Sequence, residues 1–336
     1  MARIRLFMPE TSYREIPYNY TSATDEQVVT HLFGAETWSM LEELRATRVT
    51  GRSARLLLRF MGDMFILRRN PFLYQWLVES HRRRRNFFRT ASRDIEVIER
   101  NSKDDDRVRG VLHRCREYLR VVEDELGHAL GRRLKIRRVL GAIVGEKNVA
   151  FDPFAIISHA TDATDWRLAL PLAVVWPAKE SQVASLLRAC AELKLWVIPR
   201  GAGTGLTGGA VPLSENCVMV NTERLNAIRE IRAEMVGAGR SSPVMELEAG
   251  VITEDAMTCA EKEGLVFATD PTSAWACTIG GNLAENAGGK SAVLWGTAID
   301  NVLGYRVIMP GGVTVDVARL DHPLRKIVPE DEVRFR

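Results

Sequence analysis

No CxxC pair occurs among the five cysteines, which stand at 115, 190, 217, 259 and 277. That spacing argues against a disulfide framework, a zinc ribbon or a cysteine-held iron–sulfur cluster within these residues, and predicts free thiols in a reducing compartment. No run approaches the roughly 18 to 20 apolar residues of a membrane span, and the opening MARIRLFMPE lacks the apolar stretch of a secretory signal. A cytoplasmic location is expected, compatible with peripheral attachment at the inner membrane. Histidines 31, 81, 113 and 128 form no HxxxH or HExxH pattern, so a metal site has no support and they read as surface or packing residues. What is present is 336 residues, 46% apolar and 26% charged, enough for two ordinary domains and too mixed for a fibrous or disordered chain.

Charge and glycine divide the chain. Residues 1–150 hold 29 Lys and Arg against 20 Asp and Glu, whereas residues 151–336 hold 17 against 23. Eight glycines fall in the first half and 17 in the second, as expected if a helical half precedes one rich in strands and tight loops. In the first half Leu41, Leu44 and Val49, then Leu56, Leu57, Phe60 and Met64, recur at helical spacing. HRRRRNFF at 81–88 has the composition of a grip on phosphate backbones or an anionic membrane. Adjacent helical residues point in different directions, however, and Asp94, Glu96 and Glu99 lie near enough in sequence to pair with the arginines. A solvated face, or a docking surface for an acidic domain, is the expectation, and no nucleic-acid partner is expected.

The second half alternates strand and helix signals. PLAVVWP at 171–177 reads as a buried strand, followed by a helix over 179–195 with Val183, Leu186, Leu187, Cys190 and Leu193 on its apolar face. LWVIP at 195–199 and CVMV at 217–220 read as further strands. MELEAGV at 245–251 alternates like a strand with one wet face, and a helix over 253–264 is expected with Thr253 as its N-cap and a glycine stop. YRVIMPGGVTVDV at 305–317 predicts a hairpin around PGG.

Two glycine-rich loops carry the chemistry. PRGAGTGLTGGAVP at 199–212 has five glycines between Gly201 and Gly209. Without a Cβ the chain takes positive φ and presents successive N–H groups to a concavity, a way to bind pyrophosphate without one basic side chain per oxygen. The bland alternative is a structural glycine loop. Gly203, Gly205 and Gly208 satisfy GxGxxG, but a Rossmann site needs a helix opening at the loop, and Pro212 and CVMV arrive instead. AENAGGKS at 284–291 fits a relaxed Walker pattern ending in Gly289, Lys290 and Ser291. It lacks the preceding apolar strand and the aspartate that holds magnesium, so a nucleotide triphosphatase is disfavoured.

Taken in order, PLAVVWPAKESQV, PRGAGTGLTGGAVP, ELEAGV, DPTSAWACTIGGNLAENAGG and DNVLGYRVIMPGG resemble the FAD-binding domain of the vanillyl-alcohol oxidase and p-cresol methylhydroxylase family, close to its glycolate oxidase and D-lactate dehydrogenase branch. The resemblance runs from about 162 to 317. It implies an α+β fold: a helical, Arg-rich extension over 1–150, then a PCMH-type FAD-binding domain over 151–336 with subdomains at about 151–236 and 244–320. Residues 1–150 resemble the helical extension of large bacterial FAD and iron–sulfur oxidoreductases. By the same matching the first loop would wrap the FAD pyrophosphate through Arg200, Gly201, Ala202, Gly203, Thr204 and Gly205, mostly by backbone N–H groups. Pro271, Thr272 and Ser273, then Thr278, Gly280, Gly281 and Asn282, then Asn286, Gly288 and Gly289, would line the ribityl, pyrophosphate and flavin region. Some relatives attach flavin through a histidine in the first loop, and none lies between Pro199 and Pro212, so FAD is expected to be non-covalent. Trp295 and Gly296 stand where the family commonly has tyrosine and glycine.

In that branch the FAD domain closes with a GTEGTLG-like segment, and a cap domain then supplies histidines and an arginine for the 2-hydroxy acid. Neither is evident after Val317, where His322 is the lone histidine and is expected to be solvent-exposed. No catalytic base or metal ligand is assigned. The expected function is the flavin platform of a glycolate- or D-lactate-type dehydrogenase, incomplete at its C-terminus and needing a cap domain for turnover, with electrons leaving to a second acceptor such as an iron–sulfur module. The rival is a non-enzymatic interaction protein with a vestigial FAD fold.

Overall fold

The computed structural model describes residues 15–16, 20–21, 24–46, 52–102, 105–164, 166–237, 239–323, 325–329 and 331–336; Val49 and the opening MARIRLFMPE lie outside them. Two compact units result, Met1–Lys135 with Asp152–Ile157, and Ile136–Phe151 with Ser158–Arg336.

The first unit is helical. A two-residue antiparallel pair, β1 (Glu15–Ile16) and β2 (Tyr20–Thr21), precedes α1 (Asp25–Phe33), α2 (Ala35–Ala46), α3 (Arg52–Arg69), α4 (Pro71–Glu79), α5 (His81–Arg100) and the long α6 (Asp106–Val144), of which residues 136–144 belong to the second unit. Local sequence sets the boundaries. Thr24 and Gln27 make a capping box at the start of α1, and Asn70 caps α4, with Pro71 at its first position where a missing N–H costs nothing. The core joins Phe60, Met64 and Leu67 of α3 to Ile95 of α5 and Val111, Leu112, Cys115 and Leu126 of α6, all nearly sealed from solvent. Each such large apolar side chain contributes roughly 1.5–3 kcal/mol. The expected pairing of the arginine run with the acidic residues of α5 does not occur. Asp94 is held by Arg59, and Glu99 by Arg116 at 2.6 Å, because both carboxylates lie two or more turns beyond the run and face neighbouring helices.

The second unit is α+β. After β3 (Val149–Ala150), and past α7 (Pro153–Ser158), which belongs to the first unit up to Ile157, come β4 (Ala173–Val175), α8 (Glu180–Glu192), β5 (Trp196–Arg200) and β6 (Cys217–Asn221). The sheet order is β3-β4-β6-β5, with β3 antiparallel to β4 and β4, β6 and β5 parallel. β4 and β6 are central and buried at every position, whereas β5 is an edge strand with Trp196 exposed. Leu186, Ala189 and Cys190 of α8 pack with Val175, Val218 and Val220 in one apolar cluster.

Beyond the sheet lie a hairpin of β7 (Arg232–Gly237) and β8 (Arg240–Val244), then α9 (Thr253–Lys262), α10 (Ile279–Ala284), α11 (Ala292–Trp295) and α12 (Ala298–Asn301). The hairpin of β9 (Gly304–Ile308) and β10 (Thr314–Ala318) turns at Gly311 and Gly312, both at positive φ, as the PGG signal predicted. Two expectations fail. MELEAGV is not a strand: Leu247 makes a single bridge to Ile228, and the segment is fastened to 225–229 instead, with Glu248 N–H on the Ala227 carbonyl at 3.0 Å and Gly250 N–H on that of Leu225 at 2.7 Å. Thr253 is not a cap: Ile252 takes that place without a side-chain bond, while Thr253 is buried in the first turn and donates its hydroxyl to the Cys277 carbonyl at 3.1 Å.

Candidate cofactor site

The first glycine loop leaves the carboxyl edge of the parallel strands, where Arg200 ends β5 and Asn221 ends β6. Open α/β sheets place ligands outside that edge. No helix follows the loop before β6, which removes the Rossmann geometry. From Gly201 through Ala210 no backbone N–H donates to an acceptor among the described residues, and the first to do so is Val211, to the Gly208 carbonyl at 3.1 Å. Gly203 and Gly208 adopt positive φ. A folded chain normally pairs its main-chain donors, so this run is a concentration of uncommitted positive dipoles.

The Arg200 side chain is committed. Its guanidinium is buried and donates to the carbonyls of Thr161 (2.8 Å), Ala210 (3.2 Å) and Ser158 (3.4 Å), clamping both ends of the loop onto the segment before β4. Burial lowers its pKa from the ordinary value, and the nearby Asp162 carboxylate opposes that shift. Gly203 lies against this guanidinium, where a Cβ would collide.

The second loop meets the first. A Cβ on Gly201 would strike the hydroxyl of Thr278, and Thr207 donates to the Glu285 carboxylate at 2.8 Å. Thr278 caps α10, its hydroxyl facing the Gly281 N–H at 3.4 Å. The remaining sequence-predicted residues sort by what their polar groups do. Gly280 N–H is spent on the Ala249 carbonyl (2.8 Å), buried Asn282 donates its amide to the Thr253 hydroxyl (2.8 Å), and Asn286, at φ 49, accepts from the Thr297 hydroxyl and the Ile299 N–H, each at 2.9 Å. These brace the loop. Pro271 opens the turn by accepting from Ala274 at 2.9 Å, while the N–H and hydroxyl groups of Thr272 and Ser273 and the N–H groups of Gly288 and Gly289 have no bonded partner among the described residues. Gly289 abuts the main chain of Asp270, whose carboxylate accepts from the Ser291 hydroxyl at 2.6 Å. α10 rather than a strand precedes AENAGGKS, so the Walker geometry is absent.

Several supporting residues escaped the sequence reading. Ala163 N–H binds the Gly203 carbonyl at 3.1 Å, a Cβ on Gly208 would sit 3.6 Å from the Trp166 ring, and buried His159 accepts from the Asn221 amide across 2.9 Å. Residues 158–164 and Trp166 form the floor of the first loop, and no periodicity marks them. His322, expected at the surface, is only 9% exposed, with Nε2 at 2.7 Å from the Asp300 carbonyl.

The donor set fits a dinucleotide diphosphate: uncommitted N–H groups, short hydroxyls opposite, and glycines that permit close approach. Comparison with known proteins agrees. Residues 11–124 match a family described as "Protein of unknown function (DUF3683)", and residues 171–318 match the family described as "FAD binding domain". The glycolate oxidase subunit GlcD of Bacillus subtilis (strain 168) is 31% identical over 193 residues, 57% of this chain and 39% of that protein. The D-lactate dehydrogenase of Anaerostipes hadrus is 37% identical over 147 residues, 44% of this chain and 29% of that one. A structure of p-cresol methylhydroxylase with substrate bound is 19% identical at a TM-score of 0.44, covering 56% of this chain and 35% of its own. The chain thus spans well under two thirds of the length of each. Residues 171–318 are an FAD binding domain, and through it the chain is related to glycolate oxidase and D-lactate dehydrogenase.

Proposed function

We propose that this chain holds FAD non-covalently and is the flavin platform of an oxidoreductase acting on a small 2-hydroxy acid. The observation that carries the reading is the run of uncommitted N–H groups from Gly201 to Ala210, in a loop that meets the second loop where Gly201 abuts Thr278. When bound, FAD supplies the ring that accepts a hydride equivalent and passes electrons on. The protein's own part is to hold and exclude. N–H groups of Gly201, Ala202, Gly203, Thr204 and Gly205 take the diphosphate charge, Thr272 and Ser273 offer hydroxyls along the ribityl side, and Gly288 and Gly289 offer their unpaired N–H groups. Arg200, Thr278, Gly280, Gly281, Asn282 and Asn286 hold those groups in place. The substrate class comes from the relatives, both named for 2-hydroxy acids. No catalytic base is assigned among the site residues, so turnover in this reading draws on a substrate-binding cap and a separate electron acceptor, an iron–sulfur module being the kind expected.

Titrating the full chain with FAD and following flavin fluorescence tests the reading. Uptake is expected, with all flavin released on acid precipitation. Gly201→Ala, whose Cβ meets the Thr278 hydroxyl, should weaken binding at least about tenfold, equivalent to ~1.4 kcal/mol. Colourless protein that takes up no FAD would instead support the interaction protein with a vestigial flavin fold.

A further inference from the structure

The arginine run at 82–85 has no part in the flavin reading, and its setting is particular. Between residues 80 and 93 there are six arginines and no carboxylate. Arg84 turns inward and donates to the carbonyls of Leu77 (3.0 Å) and Val78 (3.3 Å), closing the end of α4. Arg83 lies over Trp76, 4.2 Å from the ring centroid. At 100° per residue, Arg82, Arg85, Arg89 and Arg93 share an arc of about 80°, on the side of α5 away from buried Phe88, Ala91 and Ile95. All four are exposed and none makes an ion pair among the described residues. Arg89 reaches only the Asn86 amide, at 3.1 Å. Of the acidic residues farther along α5, Asp94 and Glu99 are engaged by Arg59 and Arg116, and exposed Glu96, in the same arc one turn past Arg93, ends the stripe. Positive charge over the first turns of a helix also opposes its dipole, so an anionic partner relieves two repulsions at once.

Aromatic rings lie beside Arg83, which at 100° per residue sits about 100° round α5 from Arg82. Trp76 is 52% exposed, Phe72 one turn earlier is 45% exposed, and Phe72 meets Phe154, itself 76% exposed, edge-on at 5.2 Å. We propose that α4, the first half of α5 and Phe154 form a surface that seats the helical unit on an anionic phospholipid bilayer. The arginines reach headgroup phosphates while Phe72, Trp76 and Phe154 enter the boundary with the acyl chains. Charge complementarity alone also suits a nucleic acid. A single strand, however, binds such a surface by stacking bases on open ring faces, and here Arg83 covers a face of Trp76 while Phe72 and Phe154 meet edge to face. No helix among the described residues is long and apolar enough to cross a membrane, so the contact is peripheral.

Co-sedimentation of the full chain with vesicles decides the matter. Phosphatidylcholine vesicles carrying about a third phosphatidylglycerol should bind it at least tenfold more tightly than phosphatidylcholine alone, given roughly fivefold per arginine near the surface. The triple variant R82Q/R85Q/R89Q should lose on the order of a hundredfold, with unchanged circular dichroism because none of these side chains supports the core. Phe154→Ser should weaken binding even at high salt, which screens only the charge contribution. Equal binding to neutral and anionic vesicles, no binding, or an unaffected triple variant would overturn the proposal. So would tighter binding to a single-stranded oligothymidylate lost in the same variant, which would give the surface to nucleic acid.

Discussion

A single methyl group separates Gly201 from collision with Thr278, and the same holds for Gly289 against Asp270. Both glycines are fixed by what they approach rather than by their backbone angles, since neither has a positive φ. The cysteines show the opposite control, by burial. It pushes the Cys115 thiol up to about 12, and those of Cys190 and Cys217 to about 11, far from the thiolate needed for reaction. Cys277 is also buried, and only Cys259 is partly open. A thiol-reactive dye should therefore label one cysteine of five rapidly in native protein and all five in denaturant; two or more fast labels would contradict the packing. His322 carries a pH signature. Burial lowers its pKa, assisted by Arg319 and Arg240, while its bond to the Asp300 carbonyl and the Asp300 charge oppose the shift. The unfolded chain then binds the proton first, so this contribution to stability is complete above about pH 6.5 and lost as pH falls through the lower folded value. Urea midpoints at pH 7.5 and 5.5 should draw closer together in His322→Gln than in the parent chain.

Between elements, carboxylates do much of the joining, and Asp270 is an example. Asp270 accepts the Ser291 N–H at 3.1 and 3.2 Å and its hydroxyl at 2.6 Å, tying the turn at 271–273 to the start of α11. Asp270→Ala should cost about 1.5–3 kcal/mol, the usual worth of hydrogen bonds to a charged group, read as a lower urea midpoint; an unchanged midpoint would mean the tie is ornamental. Legibility in the sequence followed the same physics. β4 and β6 read clearly because central parallel strands are apolar on both faces, and the turn at Gly311 and Gly312 reads from residue type. The hairpin of β7 and β8 did not, because RAEMVG and RSSPV are largely exposed and carry no apolar alternation. α10, α11 and α12 are four to six residues long, too short for a helical period to register. MELEAGV alternated for another reason, its pairing to 225–229. In the candidate site the glycines were legible and their supports were not: His159, Asp270 and Glu285 act on partners 62, 21 and 78 positions away, and no local pattern records such a distance.

At the scale of the molecule, the charge asymmetry read from sequence acquires a physical meaning in each unit separately. In the helical unit Asp94 and Glu99 of α5 are spent on Arg59 and Arg116 of other helices, which leaves the arginines at the start of α5 without an ion pair among the described residues. In the second unit the acidic residues Asp270, Glu285 and Asp300 serve as internal acceptors for N–H and hydroxyl groups, so the excess of acid there is partly structural. The main-chain donors of the first loop carry one last implication. A grip made of peptide dipoles has nothing to titrate across the physiological range, so its hold on a phosphate ester is insensitive to acidity. In the proposed function it is equally blind to whatever hangs from either end of that ester, so telling one nucleotide from another falls to residues outside the loop.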